Sequence, residues 1–317
     1  MIAILSKESL EGSTEDVIDW LDYYKADYVR INGESFFKDV IFQDECFKIK
    51  DLEKINICWF RRWVSDEFLK DFLSQSNLSN RNILELFGHL NYEKNAVNFL
   101  LWETLSTKKW LTNPLNHNKK LHTLKVAQEI GFIVPKTIIT SKKSSLIQFH
   151  KNYQRIITKS ITDTPFFFDE DTFRTLKTTE IFQEDITNYS DIFFPSLFQE
   201  LIEKDYEIRV FFLEKEIYSM AIFSQLDEST SIDFRNYNYQ KPNRCVPYNL
   251  PSFMKKKIHN ISKALNINTG SIDIIKSKDG NYVFLEINQV GQFGMTSYPC
   301  NFFLENQIAK YLIKNDK

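Results

Sequence analysis

Asp273, Glu286 and Asn288 are the side chains whose type and spacing point most directly to chemistry. They lie in GSIDIIKSKDGNYVFLEIN, residues 270–288, where Asp279-Gly280 separates two alternating apolar runs. That pattern predicts a β-hairpin closed by a two-residue type I′ loop. The loop dictates a register: Asn281 opposite Lys278, Phe284 opposite Ile275, Glu286 opposite Asp273 and Asn288 opposite Ser271. Strand side chains alternate between faces. Asp273, Glu286 and Asn288 therefore share one face, and Ile272, Ile274, Val283, Leu285 and Ile287 form the core face. Carboxylates directly opposite one another repel, which a screened surface tolerates and a bound cation turns to use. Two carboxylates and an amide oxygen suit Mg²⁺, which takes one or two carboxylates and completes its shell with water and phosphate oxygens. A chance acidic patch is the bland alternative.

Such a hairpin needs a scaffold. The chain opens as strand, helix, strand: an apolar run at 2–5, helical spacing at Val17, Ile18 and Leu21, and an extended stretch Tyr28–Ile31. A strand over Ile55–Trp63 precedes two helices within 67–106. WLTNPLNHNKK, residues 110–120, has no periodicity and marks a boundary. A helix over Lys120–Ile130, ended by Gly131, leads into a strand over Phe132–Thr140, and RIITKS is another strand. Residues 161–178 read as polar and irregular, with Phe166–Phe168 as either core or lid. A strand pair, Tyr206–Leu213 and Glu216–Ser224, a helix over Pro251–Leu265 and a last helix over Phe302–Ile313 surround the hairpin. Strands and helices alternate irregularly, so the fold class is α/β or α+β.

Composition narrows the chemistry. Only 8 of 317 residues are glycine, against an average usage of about 7%. They form neither GxxxxGK[ST] nor GxGxxG, which argues against a Walker NTPase and a conventional dinucleotide enzyme. With 40 basic and 42 acidic side chains the net charge is −2, which leaves no basic footprint for nucleic acid. No apolar run is long enough for a membrane span. Cys46, Cys58, Cys245 and Cys300 are scattered and read as free thiols of a reducing cytoplasm.

The segment D…FLEINQVGQF resembles the metal-binding end of an ATP-grasp ligase. The likeness continues backward in the expected order. KKLHTLKVAQEIGFIVPKT (119–137) is similar to the opening of that domain, and IITKS to its second lysine strand. FQELIEKDYEIRVFF (198–212) is similar to an adenine hinge followed by an arginine-bearing strand. DFRNYN (233–238) resembles an Asp-aromatic-Arg element of the branch that includes ribosomal-protein glutamate ligases. Within the fold, ICWFRRW (57–63), the entry Asn113-Pro114…Lys120 and the ending EINQVGQF resemble the graspetide synthetases, and more narrowly the grasp-with-spasm peptide maturases. Three departures from the family pattern stand out: Ser160 follows Lys159 where proline is frequent, residues 160–178 contain no glycine, and Gln289 replaces proline after Asn288.

The resemblance implies an ATP-grasp fold with an N-terminal α/β domain. Its expected parts are a leader-peptide-binding domain at 1–112, a central subdomain at 113–197 and a C-terminal subdomain at 198–317 carrying the metal hairpin. It implies ATP and two Mg²⁺ ions, with Asp273, Glu286 and Asn288 as ligands. Lys120 and Lys159 would meet the phosphates, although Lys119 and Lys125 are equal candidates to Lys120 by spacing. Gln199, Glu200, Leu201 and Ile202 would form the hinge, with Glu203 or Glu207 near the ribose. Arg209, Asp233 and Arg235 would act at the reacting carboxylate, Arg209 having a solvated strand position as its bland alternative. Trp59, Arg61 and Arg62 would receive peptide, or simply end a strand. The implied reaction joins Asp or Glu side chains of a ribosomal precursor peptide to Thr or Ser hydroxyls, or to Lys amines, through acyl phosphates. A homodimer in the cytoplasm that binds precursor leader and core completes the expectation. Alternatives are a ligase adding free amino acids to a carboxyl group, a non-catalytic peptide-binding module, and a small-molecule kinase on the same fold.

Overall fold

The first strand, β1 (Ile2–Ser6), is buried along its whole length. Continuous burial is the mark of a central strand in a parallel sheet covered on both faces. A computed structural model describes residues 1–9, 11–75, 79–117, 119–162, 166–169, 172–225, 240 and 242–317, with the backbone alone at 66, 80, 81, 166–169 and 172–175. From β1 the chain forms helix α1 (Gly12–Tyr23), strand β2 (Tyr28–Asn32), helix α2 (Gly33–Asp39) and strand β3 (Ile57–Phe60). Helices α3 (Asp66–Ser74) and α4 (Asn80–Thr104) and strand β4 (Lys109–Leu111) follow. The sheet order is β2-β1-β3-β4, all parallel. Val17, Ile18 and Leu21 of α1 are buried, as their helical spacing requires. The Ser79 hydroxyl caps α4 by accepting the Asn82 N–H.

The chain continues through helix α5 (Lys120–Glu129), strand β5 (Thr137–Lys142), helix α6 (Lys143–Tyr153) and strand β6 (Ile156–Thr158). Strand β7 (Thr179–Ile181), helix α7 (Gln183–Thr187) and strand β8 (Ile192–Glu200) follow. These strands form an antiparallel sheet in the order β7-β6-β8-β5. Leu146 and Phe149 of α6 join Ile156, Ile181, Ile186 and Phe198 in one core. A second sheet follows from β9 (Lys204–Leu213), β10 (Glu216–Phe223) and β11 (Arg244–Pro247), then helix α8 (Ser252–Ala264), β12 (Thr269–Ser277) and β13 (Tyr282–Asn288). Its order is β11-β10-β9-β12-β13. The chain ends in helices α9 (Gly294–Cys300) and α10 (Leu304–Asn315).

Two sequence expectations change here. Residues 166–169 and 172–175 pair as an antiparallel ribbon, so 161–178 is not wholly irregular. The domain division changes as well. One unit comprises Met1–His117, Asn266–Gly270 and Gln289–Lys317, and the other comprises Asn118–Leu265 and Ser271–Asn288. The expected 198–317 part is thus split, because its tail completes the first unit. There the N-terminal ammonium pairs with Asp316 at 2.6 Å, and Asn268 donates to the Trp110 carbonyl at 2.6 Å.

Candidate active site

The hairpin β12–β13 sets Asp273 opposite Glu286 and Asn288 opposite Ser271, as the sequence predicts. It reaches that register by another route. Gly280 N–H bonds to Ser277 O at 2.9 Å, Ser277 N–H bonds to Asn281 O at 3.0 Å, and Gly280 has φ +87. The loop is therefore the three-residue kind, with glycine in the left-handed position. It displaces the neighbouring pairs by one, so Phe284 lies opposite Ile274 rather than Ile275. A bulge between Ile274 and Asp273 restores the register, leaving Leu285 without a partner on β12. The expected core face is corrected at the bulge. Phe284 is fully buried against Phe132, while Leu285 lines a cleft. Phe284 N–H also bonds to Ile133 O at 2.8 Å, which ties the hairpin to the segment after α5.

That cleft lies wholly within the second unit. Lys159, Gln199, Glu200, Leu201, Ile202, Glu207, Asp273 and Glu286 all line it, although they span more than a hundred positions of chain. At the hinge, Glu200 N–H donates to Lys136 O at 3.0 Å and Leu201 N–H to Arg155 O at 2.9 Å, so neither is left for a ligand. The Glu200 carboxylate accepts the Lys136 N–H at 2.8 Å. Arg155 is fastened by a two-pronged bond to Glu180, at 2.7 and 2.8 Å, which raises the guanidinium pKa.

The two facing carboxylates each hold a cation. Arg209 Nη1 lies 2.7 and 2.8 Å from the Asp273 oxygens, and Lys120 Nζ lies 3.4 Å from Glu286. Arg209 is buried, so its bland solvated reading is corrected. These cations offset the repulsion that opposed carboxylates would otherwise suffer. Among the described residues, no three His, Cys, Asp or Glu side chains cluster as a metal site. Among the described residues, Asp273 and Glu286 face one another as candidate donors to Mg²⁺, with Asn288 two residues beyond Glu286. Two facing carboxylates in a cleft that Lys159 also lines fit a metal that takes its other ligands from phosphates and water. Of the three candidate lysines, Lys120 is the one against Glu286, whereas Lys125 pairs with Glu129 along its own helix at 3.9 Å.

Glu207 also lines the cleft, while Glu203 is exposed and pairs with Arg155 and Lys278. Both Glu207 oxygens are held, by Lys204 Nζ at 2.6 Å and by Ser224 Oγ at 2.6 Å. Lys204 is a buried cleft residue that sequence reasoning missed. Lys204 and Glu207 are three apart, and strand alternation would put them on opposite faces, so spacing gave no warning. Asp233 and Arg235 lie outside the described residues.

Trp59 and Arg61 belong to the first unit, and the expectation that they contact a peptide is corrected. Both are 1% exposed. Arg61 lies 5.2 Å from the Trp59 ring centroid and 5.2 Å from that of Phe293. It donates to the carbonyls of Val290 and Gly291 at 2.6 and 3.1 Å and to Ser13 Oγ at 2.8 Å. Burial holds its pKa down to about 10. Arg62 is the partly exposed member, 3.3 Å from Glu11.

No protein-family model and no curated protein matches the chain. Solved structures do. A RiPP-associated ATP-grasp ligase from Chryseobacterium gregarium, in complex with ADP and a leader and core peptide, superposes with TM-score 0.78 at 21% identity, over 99% of this chain and 95% of that one. The chain has the ATP-grasp fold. The macrocyclase MdnC from Microcystis aeruginosa MRC, bound with precursor peptide MdnA, gives TM-score 0.78 at 23% identity over 99% of both chains. The ATP-grasp ligase PsnB, complexed with minimal precursor, Mg and ADP, gives 0.76 at 14% identity over 100% of this chain and 97% of that one. Within the ATP-grasp fold, the cleft described above joins the segment Gln199–Ile202 at the end of β8, the lysine after β6 and the carboxylates of β12 and β13.

Proposed function

We propose that the chain is an ATP-dependent ligase that cross-links side chains of a ribosomal precursor peptide. It activates Asp or Glu carboxylates as acyl phosphates and joins them to Thr or Ser hydroxyls, or to Lys amines. The observation that carries this reading is the single cleft in which a hinge, Lys159 and the Asp273/Glu286 pair meet. Peptide-modifying ATP-grasp ligases among the structural neighbours support it.

In this scheme Lys159 and Lys120 neutralise phosphate oxygens, and the hinge from Gln199 to Ile202 takes the base. Glu207, fixed by Lys204 and Ser224, stands near the ribose. Asp273, Glu286 and Asn288 hold Mg²⁺, which when bound neutralises charge on the transferred phosphoryl group. Arg209 and Arg235 stabilise the acyl phosphate, where a planar guanidinium matches an oxyanion, with Asp233 beside Arg235. Phosphoryl transfer asks mainly for positioning and charge neutralisation, so the lack of a Ser or Cys nucleophile motif costs the scheme nothing. We further read the enzyme as a cytoplasmic homodimer using two Mg²⁺ ions, with Arg62 available to the precursor. The four free cysteines agree with a reducing compartment.

The test is co-expression with a short neighbouring open reading frame rich in Thr or Ser and Glu or Asp, followed by mass measurement of the peptide. Loss of one water per ring, together with ADP release, is expected. A stable phosphorylated product would instead indicate a kinase, and addition of free amino acids a different ligase. No ADP release with any peptide would reject the enzyme reading.

A further inference from the structure

Gln199 lines the cleft and is 1% exposed. Its amide nitrogen donates to Thr137 Oγ1 at 2.9 Å. Its amide oxygen is buried with no hydrogen-bond partner among the described residues. Buried polar atoms are almost always paired, so an unpaired acceptor in a cleft points to a donor supplied by a ligand. The register supports a built arrangement, since Gln199 stands directly opposite Thr137 on one side and Ile157 on the other.

Thr137 decides which end of the amide is left over. A hydroxyl has one proton to donate, and that of Thr137 goes to the Pro135 carbonyl at 2.8 Å. Toward Gln199 the hydroxyl can therefore only accept. A carboxamide facing an acceptor must turn its NH₂ to it, which leaves the oxygen for the ligand. Purines differ at this kind of contact: the 6-amino group of adenine donates, whereas a 6-oxo group accepts.

We propose that Thr137 is a positioning residue for base selectivity: by holding the Gln199 amide in one orientation, it makes the cleft accept 6-amino purines and reject 6-oxo purines. This rests on the reading that the cleft takes a purine nucleoside triphosphate. Neither residue lies on the hairpin that carries Asp273 and Glu286, so the effect is confined to choice of base.

The experiment is calorimetric titration of the full chain with Mg-ATP and with Mg-ITP, which carries oxygen at the 6-position. Wild type should bind ATP at least tenfold more tightly than ITP. Thr137→Val frees the amide to flip, so the ratio should fall at least fivefold, with ITP binding strengthened. Thr137→Ser keeps the hydroxyl and should retain the wild-type ratio. Thr137→Ala removes the same oxygen and gives a second measure of that ratio if the valine variant does not fold. A wild-type ratio in Thr137→Val or Thr137→Ala, with tight ATP binding intact, overturns the role of Thr137 and leaves the nucleotide cleft standing. Failure of wild type to bind either nucleotide overturns the nucleotide reading, and this proposal with it.

Discussion

Asp273 and Glu286 face one another, yet they are not equivalent targets for mutation. Asp273 holds buried Arg209 at 2.7 Å, and removing one partner of a buried ion pair costs about 3–5 kcal/mol. Asp273→Ala would therefore mix lost chemistry with lost stability. Glu286 pairs at 3.4 Å with Lys120, and each side chain is 20% exposed, so breaking this pair strands no deeply buried charge. Glu286→Gln is the cleaner test. It should lower peptide-dependent ADP release by about 10²–10³-fold, the usual loss when one electrostatic group of an active site is removed. Its melting temperature should stay close to wild type in a thermal scan. ADP release near the wild-type rate would sink the metal-ligand assignment. Both carboxylates were legible from sequence because alternation and a turn signal are local; that Arg209 and Lys120, named for other contacts, would pair with them was not, because they come from elements remote in sequence.

At the scale of elements, the hairpin shows how two local irregularities can cancel. The loop takes one more residue than Asp279-Gly280 suggests, and the bulge at Leu285 takes it back. The Asp273–Glu286 pairing was thus foreseen, while the intervening pairs were one residue out. Gly280 is what the loop depends on. Its φ of +87 is a conformation L side chains rarely adopt, and a Cβ there would meet nothing within 4 Å. The cost of Gly280→Ala is therefore backbone strain alone, about 1 kcal/mol. Urea denaturation should record a loss of that size, with Gly280→Asn losing less because Asn tolerates the left-handed region better. Unchanged stability in the alanine variant would mean that the loop is built differently. Helix α6 escaped sequence reading because its buried side chains, Leu146 and Phe149, are too few to declare a period.

At the scale of the whole molecule, the chain builds each unit from distant pieces. Arg61, at the end of β3, accounts for much of one such closure, since it binds the carbonyls of Val290 and Gly291. Arg61→Ala removes the hydrogen bonds to both carbonyls, each from a charged donor and worth about 1.5–3 kcal/mol. The expected result is a melting temperature about 6–24 °C lower by calorimetry, at ~2–4 °C per kcal/mol. Arg61→Lys should recover little, because an ammonium cannot reproduce the fork. A melt within ~2 °C of wild type would show that the closure does not depend on Arg61. By itself, the sequence determined which phosphate-binding motifs were absent, the alternating strands, and the paired carboxylates, because periodicity and turn residues act over a few positions. It also singled out Lys159 and the segment from Gln199 to Ile202, through motif order, and these line one cleft. Only the tertiary structure decided that Trp59 and Arg61 turn inward, that Arg209 closes on Asp273, that Lys204 is buried against Glu207, and that the tail belongs with the first unit. Those outcomes depend on which remote surfaces become neighbours and on which charges lose their water, and neither is written in local spacing.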